Sequence, residues 1–570
     1  MRRSWTPLAL LALALVVAPN VADADRASRA DVSVGDAPLG DALLGAPPLG
    51  DALLGAPPTV GPGRETPPAV PAATVRVPRD ASTIQAAVDR AEPGGLVLVS
   101  PGVYDEAVVV TTPFLTIRGT DRNRVILDGG FVRENGIHVV EADGVAIENM
   151  TARRYVANGF LWSSVFGYRG SFLTAYDDGH DGLVAYDSVY GQLDHSFASG
   201  HPDAGFSVAR CDPCHAVIAD VVAEHNGLGF AGAEARGDLS IVNSEWAHNM
   251  AGILANAVGS ARPTPERDVL IAGNLVHDND DRGAPADPSR YPAFGIGIAI
   301  AGAGGNLVQG NVVSGHERFG IEVSAVEPGA WPPSDNIVRD NLVSASGIAD
   351  LVVSAPSAGG DCFEHNTFST SLPPAIEWQF GCDSALPPGG GDLGSRFASL
   401  VLRIDALDGR YPHGDWKATS PPGVQESMAG AAHAPPDPAV PDAAVPERFH
   451  IRSPRRALAV LDRREVSVLG FPIAVGWWAL MVGLYAYALP IILYCAWVSI
   501  ALWDLARQDA VPNGRRAAWM LVVLVVPLLG PVGYFAFGRS PIQPSLRLTL
   551  VVGGLAVYAA LAALAIVVGA

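Results

Sequence analysis

The chain has 570 residues, 49% of them apolar and only 17% charged, with a net charge of −20. So acidic a body is a poor partner for nucleic acid, and it would repel an acidic polysaccharide unless a cation intervened. The 62 glycines and 46 prolines exclude a coiled coil or helical bundle, and Lys417, the only lysine, leaves no lysine chemistry to the residues before it. A mean hydropathy of +0.24 with so few charges calls for membrane segments or an unusually apolar scaffold.

In chain order, residues 1–24 read as a secretory signal. Arg2 and Arg3 open it, Leu8 to Val17 form an apolar core, and Ala22-Asp23-Ala24 offers a cleavage site. Residues 25–73 repeat a Gly-Asp-Ala-Leu-Leu-Gly-Ala-Pro-Pro unit that cannot build a packed core, so they read as a flexible spacer. Order is expected from Thr74. Thr83 to Ala91 has helical spacing with Ser82 as its N-cap. Short β-rich runs follow at Leu96–Val99, Ala107–Val110, Phe114–Ile117 and Val125–Leu127.

From Asn135 to about Phe368 a loose repeat of roughly 20–25 residues appears, the range of solenoids. Its phrases include Asn135-Gly136-Ile137, Asn158-Gly159-Phe160, Asp181-Gly182-Leu183, Asn226-Gly227-Leu228 and Phe319-Gly320-Ile321. Short strands with apolar residues turned inward, Gly or Asn in the turns and Asn stacked between rungs would build such a coil. The stretch from Ser82-Thr83-Ile84-Gln85 to Pro93-Gly94-Gly95, followed by Ser100-Pro101-Gly102-Val103-Tyr104, resembles the N-terminal end of exported proteins of the pectin-lyase-like fold. That resemblance covers residues 76–384 and implies a right-handed parallel β-helix with an N-terminal capping helix. It is weak for activity, because the fold hosts lyases, hydrolases, epimerases, adhesins and non-enzymes.

Residues 385–465 read as a C-terminal cap and a Pro/Ala-rich linker. Three uncharged runs then suffice to cross a bilayer: Leu480 to Trp503, Ala517 to Phe537 and Leu548 to Ala570. Trp519 to Arg539 resembles the membrane region that precedes phospholipase D-type domains in cardiolipin synthases. The H-x-K-x4-D motif of those enzymes is absent, so the resemblance implies an anchor and no phospholipase D activity. The expected fold class is thus an all-β solenoid (1–24 signal, 25–73 linker, 74–384 β-helix) joined to a bundle of three transmembrane helices over 466–570. The β-helix is expected outside the cell membrane and the C-terminus in the cytoplasm, although six arginines between Arg448 and Arg464 precede the first span on the outer side.

The stretch 155–230 is densest in chemistry. Asp177, Asp178, His180, Asp181, Asp194, His195, His201 and Asp203 are the catalytic candidates, and Trp162, Tyr168, Tyr176, Tyr186 and Tyr190 are candidate sugar-binding aromatics. Rungs stack about 4.8 Å apart. Asp178, His180 and Asp181 on one rung can therefore meet His201 and Asp203 on the next, in an acid–imidazole cluster suited to a glycosidic bond. The same oxygens could hold Ca2+. The competing reading is a turn ladder made of His201, His225, His248, His277 and His316, with the aromatics as an internal stack. Cys211 and Cys214, followed by His215, match the spelling of a c-type haem attachment. A single copy in a turn, with no distal ligand, points instead to a stapling disulfide or paired thiols. Cys362 and Cys382 would close a loop of about 20 residues worth roughly 3 kcal/mol. Two functions remain open: recognition, extending to processing by a lyase, hydrolase or epimerase, of an envelope or environmental polysaccharide, or a non-catalytic scaffold or adhesin. A metal or haem factor at Cys211, Cys214 and His215 is a third.

Overall fold

The computed structural model describes residues 72–256, 266–285, 294–325, 332–354, 357–385, 414–440 and 449–452, together with Pro68 and, near the C-terminus, 498–507, 513–525, 529–537, 542–543, 547–548 and 551–552. The signal segment, almost all of the spacer and most of the three apolar runs lie outside these residues.

Short strands, most of them of three to six residues, recur about every 23 positions, and each pairs in parallel with its counterpart one turn later. The chain therefore coils into an all-β solenoid, a parallel β-helix with three faces. Sheet A begins with Thr74–Val77, sheet B with Gly102–Tyr104 and sheet C with Val108–Val110. Sheets A and C are joined where one long strand, Leu228–Val242, turns the corner between them.

Register stacks apolar residues into columns inside the coil. In sheet C the column runs Phe160, Leu183, Phe206, Phe230, Ile253, Ile298, Ile321 and Leu351. In sheet B it runs Ala175, Ala198, Ala223, Trp246, Val276, Val313 and Val343. Every one of these is buried, at about 1.5–3 kcal/mol for each large aliphatic or phenylalanine side chain. The helix Ile84–Arg90 closes the N-terminal end. Its N-cap is Thr83, whose hydroxyl accepts from Ala86 N, rather than the Ser82 expected from sequence. Its buried face is Ile84, Ala87 and Val88.

The corners carry buried polar ladders. Between sheets A and B the chain of acceptors runs Ser244, Asn274, Asn311, Asn341 and Asn366, and the Glu377 carboxylate ends it by accepting from Asn366 N at 2.7 Å. Between C and A it runs Asn306, Asn336 and Asp361. Each side chain accepts the backbone N–H of the rung before it. Left unpaired, such a buried N–H would cost about 1–3 kcal/mol.

Residues 414–440 fall in the stretch expected to be a linker, and they lie along the solenoid as a strap. Two buried arginines hold them. Arg118 pairs with Glu148 and donates to the carbonyls of Ala434 (2.7 Å) and Pro435 (3.1 Å). Arg122 donates to Glu426 O at 2.9 Å, while its other donors grip Thr174, Leu173 O and His195 O. Asn149 Oδ1 accepts from Ser427 Oγ and Met428 N, and Thr116 Oγ1 accepts from Asp437 N. Further on, Phe449 packs against Val217, Ala219, Val242 and Ala272. Arg452 pairs with Asp220 (3.0 Å), and its N–H donates to Asn243.

In the C-terminal region the helices Asn513–Val525 and Leu529–Phe537 pack through Val523, Tyr534 and Phe535 against Ala501 and Leu505. The Tyr534 hydroxyl donates to Asp504 at 2.6 Å. Among the described residues no helix is long and apolar enough to cross a membrane.

Candidate functional site

Strand Thr174–Tyr176 of sheet B ends at Asp177, whose φ of 57° turns the chain towards strand Leu183–Tyr186 of sheet C. One rung later Phe197–Ser199 ends at Gly200, with φ +79°, before strand Ala204–Cys211. The 23-residue offset sets Asp178 beside His201 and His180 beside Asp203. His180 Nδ1 lies 2.9 Å from Asp203 Oδ2, with the ring about a quarter exposed and the carboxylate nearly buried. The expected meeting of these two rungs is therefore present for His180 and Asp203.

The carboxyls of this corner are strongly perturbed. Burial pushes Asp177 up to about 7, against a hydrogen bond from Thr419 and the positive charges of Arg154 and Arg153. Burial and the neighbouring Asp203 carboxylate push Asp181 up to about 8, and its Oδ1 accepts from Ala204 N. Burial also lifts Asp178 well above the ordinary carboxylate range. Its Oδ1 accepts from Tyr155 N at 2.8 Å, while Oδ2 has no hydrogen-bond partner. A carboxyl near 7 can give or take a proton at neutral pH, the property that acid–base chemistry needs.

Cations gather on the same side. Arg153 and Arg154 share Asp128, and Arg153 Nη1 donates to the Tyr176 hydroxyl at 2.8 Å. Burial would raise the Asp128 carboxyl, but these two guanidiniums hold it below its usual value. The strap adds Lys417, 5.1 Å from the Trp416 ring and 5.9 Å from that of Phe131. Trp416 meets Phe131 edge to face with centroids 5.4 Å apart. The strap approaches closely: a Cβ on Gly200 would come within 2.8 Å of Asp177 Oδ1 and 3.0 Å of Thr419, and one on Gly179 within 3.1 Å of Trp416.

The structure redistributes several candidates. His201 is wholly buried in the ladder of the B–C corner. That ladder runs Asp178, His201, Asn226, Asn249, Asn279 and His316, and every member but His201 accepts the backbone N–H of the preceding rung. Both His201 ring nitrogens lie against the backbone of Ala175 and Asp178 but fall short of full hydrogen bonds. Burial lowers this imidazole to about 4, so it is neutral and structural. His316 takes the equivalent place further along, whereas His225, His248 and His277 lie outside the ladder. Asp194 and His195 pair with each other at the A–B corner, where Arg122 takes the His195 carbonyl, and they do not join the cluster. Trp162 and Tyr168 are interior, at 0% and 1% exposure, and so offer no face to a sugar. Tyr186 lies under Arg210, and Tyr190 is packed between Phe166 and His215. Of the five aromatic candidates only Tyr176 borders the cluster.

Cys211–Cys214 and Cys362–Cys382 are both disulfides. Cys211 and Cys214 are wholly buried, and His215 Nδ1 sits 2.8 Å from Asp238. The haem or metal reading of that motif therefore has neither thiol at its disposal. The sequence reading missed Arg153, Arg154 and Asp128 as a unit, along with the strap residues Trp416, Lys417 and Thr419. The offset of 25–26 residues between Asp128 and the arginines, close to one rung, is the signal that could have found the first group.

Residues 496–539 match the family model described as phospholipase D-nuclease N-terminal. No curated protein is significantly similar in sequence. Among solved structures the chain is similar to the A-module of mannuronan C-5 epimerase AlgE6 from Azotobacter vinelandii, at 15% identity and a TM-score of 0.34, over 50% of this chain and 86% of that one. It is similar to an alginate lyase from Paenibacillus at 14% identity and a TM-score of 0.34, over 52% and 99%. It is also similar to DFA-IIIase from Arthrobacter chlorophenolicus at 11% and a TM-score of 0.33, over 49% and 87%.

Proposed function

We propose that this chain is a membrane-anchored, extracytoplasmic right-handed β-helix protein that binds and processes an acidic polysaccharide at the corner formed by Tyr176, Asp177, His180 and Asp203. The observation that carries the reading is the His180–Asp203 pair across adjacent rungs, three residues along the chain from an Asp177 carboxyl held at about 7 that feels Arg153 and Arg154. Removing a proton α to a uronate carboxylate needs a base of near-neutral pKa and a cation to offset the carboxylate charge. Asp177 and His180 are the groups to move the proton, Asp203 orients the imidazole, and the guanidiniums receive the carboxylate. This favours lyase or epimerase chemistry over hydrolysis. The local arginines also answer the objection that so acidic a body must repel an acidic glycan. The C-terminal apolar runs and the match at 496–539 support the anchor.

The experiment is to incubate the purified full-length protein in detergent with neutral and acidic polysaccharides in heavy water, following chain length, new double bonds and deuterium uptake. Cleavage or deuterium uptake with one glycan, abolished in His180→Ala and Asp177→Asn, is the expected result. If neither the folded wild type nor the folded Arg118→Met variant, with its strap released, changes any glycan, the reading is overturned. The second reading, a non-catalytic scaffold, is favoured by one observation: Asp178 and Asp181 each spend a carboxylate oxygen on a backbone N–H of a neighbouring rung, and His201 is wholly buried.

A further inference from the structure

Further along the column of turning residues that contains Asp177 and Gly200, two to four rungs on, the corner between sheets B and C carries His225, His248 and Asp278. Strands Glu245–Ala247 and Leu275–His277 pair with Ala247 opposite His277. The next residue on each rung, His248 and Asp278, turns with φ of 55° and 51°. His225 occupies the same place one rung earlier, also with positive φ, and its ring stacks on His248 at 5.6 Å. The His248 ring in turn meets the His277 ring edge to face at 5.6 Å. One donor atom from each of His248, His277 and Asp278 lies within 4.8 Å of the other two, and all three side chains are partly exposed.

We infer that His248, His277 and Asp278 form a binding site for a divalent transition-metal ion of the zinc, nickel or copper type. Two imidazoles and one carboxylate are donors that such ions favour and that Ca2+, which takes oxygen ligands, does not. Ligand bonds of about 2.0–2.1 Å place tetrahedral donors about 3.3 Å apart. His277 Nδ1 and Asp278 Oδ2 are already 2.9 Å apart, and the more exposed His248 ring closes the third side by rotating about its own side-chain bonds. His277 Nε2 lies 3.2 Å from Glu245 Oε1. A carboxylate behind a ligating imidazole is the usual means of setting its tautomer and orientation, so Glu245 is a positioning residue. His225, held at Nδ1 by Asp281 at 3.0 Å, borders the site without joining it. The site is independent of the glycan reading, since none of its residues belongs to the Asp177 cluster.

The test uses tag-free full-length protein stripped with chelator, titrated with Zn2+ by calorimetry and with Cu2+ by electron paramagnetic resonance, in the presence of millimolar Ca2+. One tight equivalent of Zn2+ and a Cu2+ spectrum with two equatorial nitrogens are expected. His248→Ala and His277→Ala each remove the tight equivalent, Glu245→Gln weakens it by about 10–100-fold, and His225→Ala leaves it unchanged. Tight Zn2+ binding that survives the His248→Ala, His277→Ala double variant overturns the assignment, as does displacement by Ca2+. A wild-type Cu2+ spectrum with fewer than two nitrogens does so without any variant.

Discussion

Replacing His201 by asparagine separates a ladder role from a catalytic one. Asn226 and Asn249, the next two ladder members, each accept the N–H of the preceding rung and donate to a carbonyl, Ala198 O at 3.1 Å and Ala223 O at 2.9 Å. An asparagine at 201 would do the same with Asp178 N and Ala175 O, where neither imidazole nitrogen makes a full hydrogen bond. At pH 7.5 the substitution should therefore change stability by less than about 1 kcal/mol, the loss of ring volume offsetting the better hydrogen bonds. The pH dependence gives the sharper figure. The folded state holds this imidazole at about 4, below its ordinary 6.5, so the unfolded chain binds the extra proton. The stability contributed is complete above pH 6.5 and is lost as pH falls towards 4. Linkage makes the loss about 2 kcal/mol at pH 5 and close to nothing at pH 7.5. Urea unfolding followed by circular dichroism at both pH values should show the wild type losing about 2 kcal/mol more than His201→Asn on acidification. His316, held at about 4 by the same burial, leaves a residual loss common to both proteins. A variant destabilised by more than about 2 kcal/mol at pH 7.5, or one that keeps the full wild-type acid loss, refutes the ladder assignment.

Further expectations concern the cluster, the strap and the cap. Asp177→Asn removes a carboxyl whose folded value of about 7 lies above its ordinary 3.8, so the wild type loses stability as pH rises through 7. The variant should be the more stable protein at pH 8 and no more stable than wild type below pH 4, by urea midpoints. Arg118→Met should release the strap. Because Lys417 is the only lysine and is exposed, a lysine-specific protease should then cut the chain once, at least ten times faster than in wild type, and equal rates would show that Arg118 does not hold the strap. Replacing Cys362 and Cys382 together by serine opens a loop of 20 residues. It should cost about 3 kcal/mol of local stability, seen as faster amide exchange confined to the last rungs.

The coil was legible in the sequence because its determinants are local and periodic. An apolar residue recurs at each inward position and Asn or Gly at each corner, so the 23-residue spacing alone brings His180 to Asp203. What the spacing does not encode is which way a side chain faces. Trp162 sits at an inward position of strand Phe160–Ser163, and Tyr168 one strand later also points inside, so of the two readings of these aromatics, sugar platforms or an internal stack, both residues fit the stack. His201 and His225 lie 24 residues apart, each just ahead of a glycine-containing phrase, yet one is in the ladder and the other outside. A single position separates the inward ladder site from the turning residue before it. The strap was illegible for a different reason. Its Pro/Ala composition is that of a linker, and its attachment depends on backbone carbonyls gripped by Arg118 and Arg122, some 300 residues earlier.

The strap also decides how the solenoid bears load. Tension arriving from the C-terminal region reaches the coil first at Arg452 and Phe449, beside Asn243 and Asp220 in its middle turns, and next at the contacts of Asp437, Ala434 and Glu426. These attachments resist in series along the flank. The end rung closed by Glu377 feels no pull until all of them have given way. A coil anchored at its last turn would peel one rung at a time, whereas one gripped along its side takes the force in its middle turns and keeps its last rung intact.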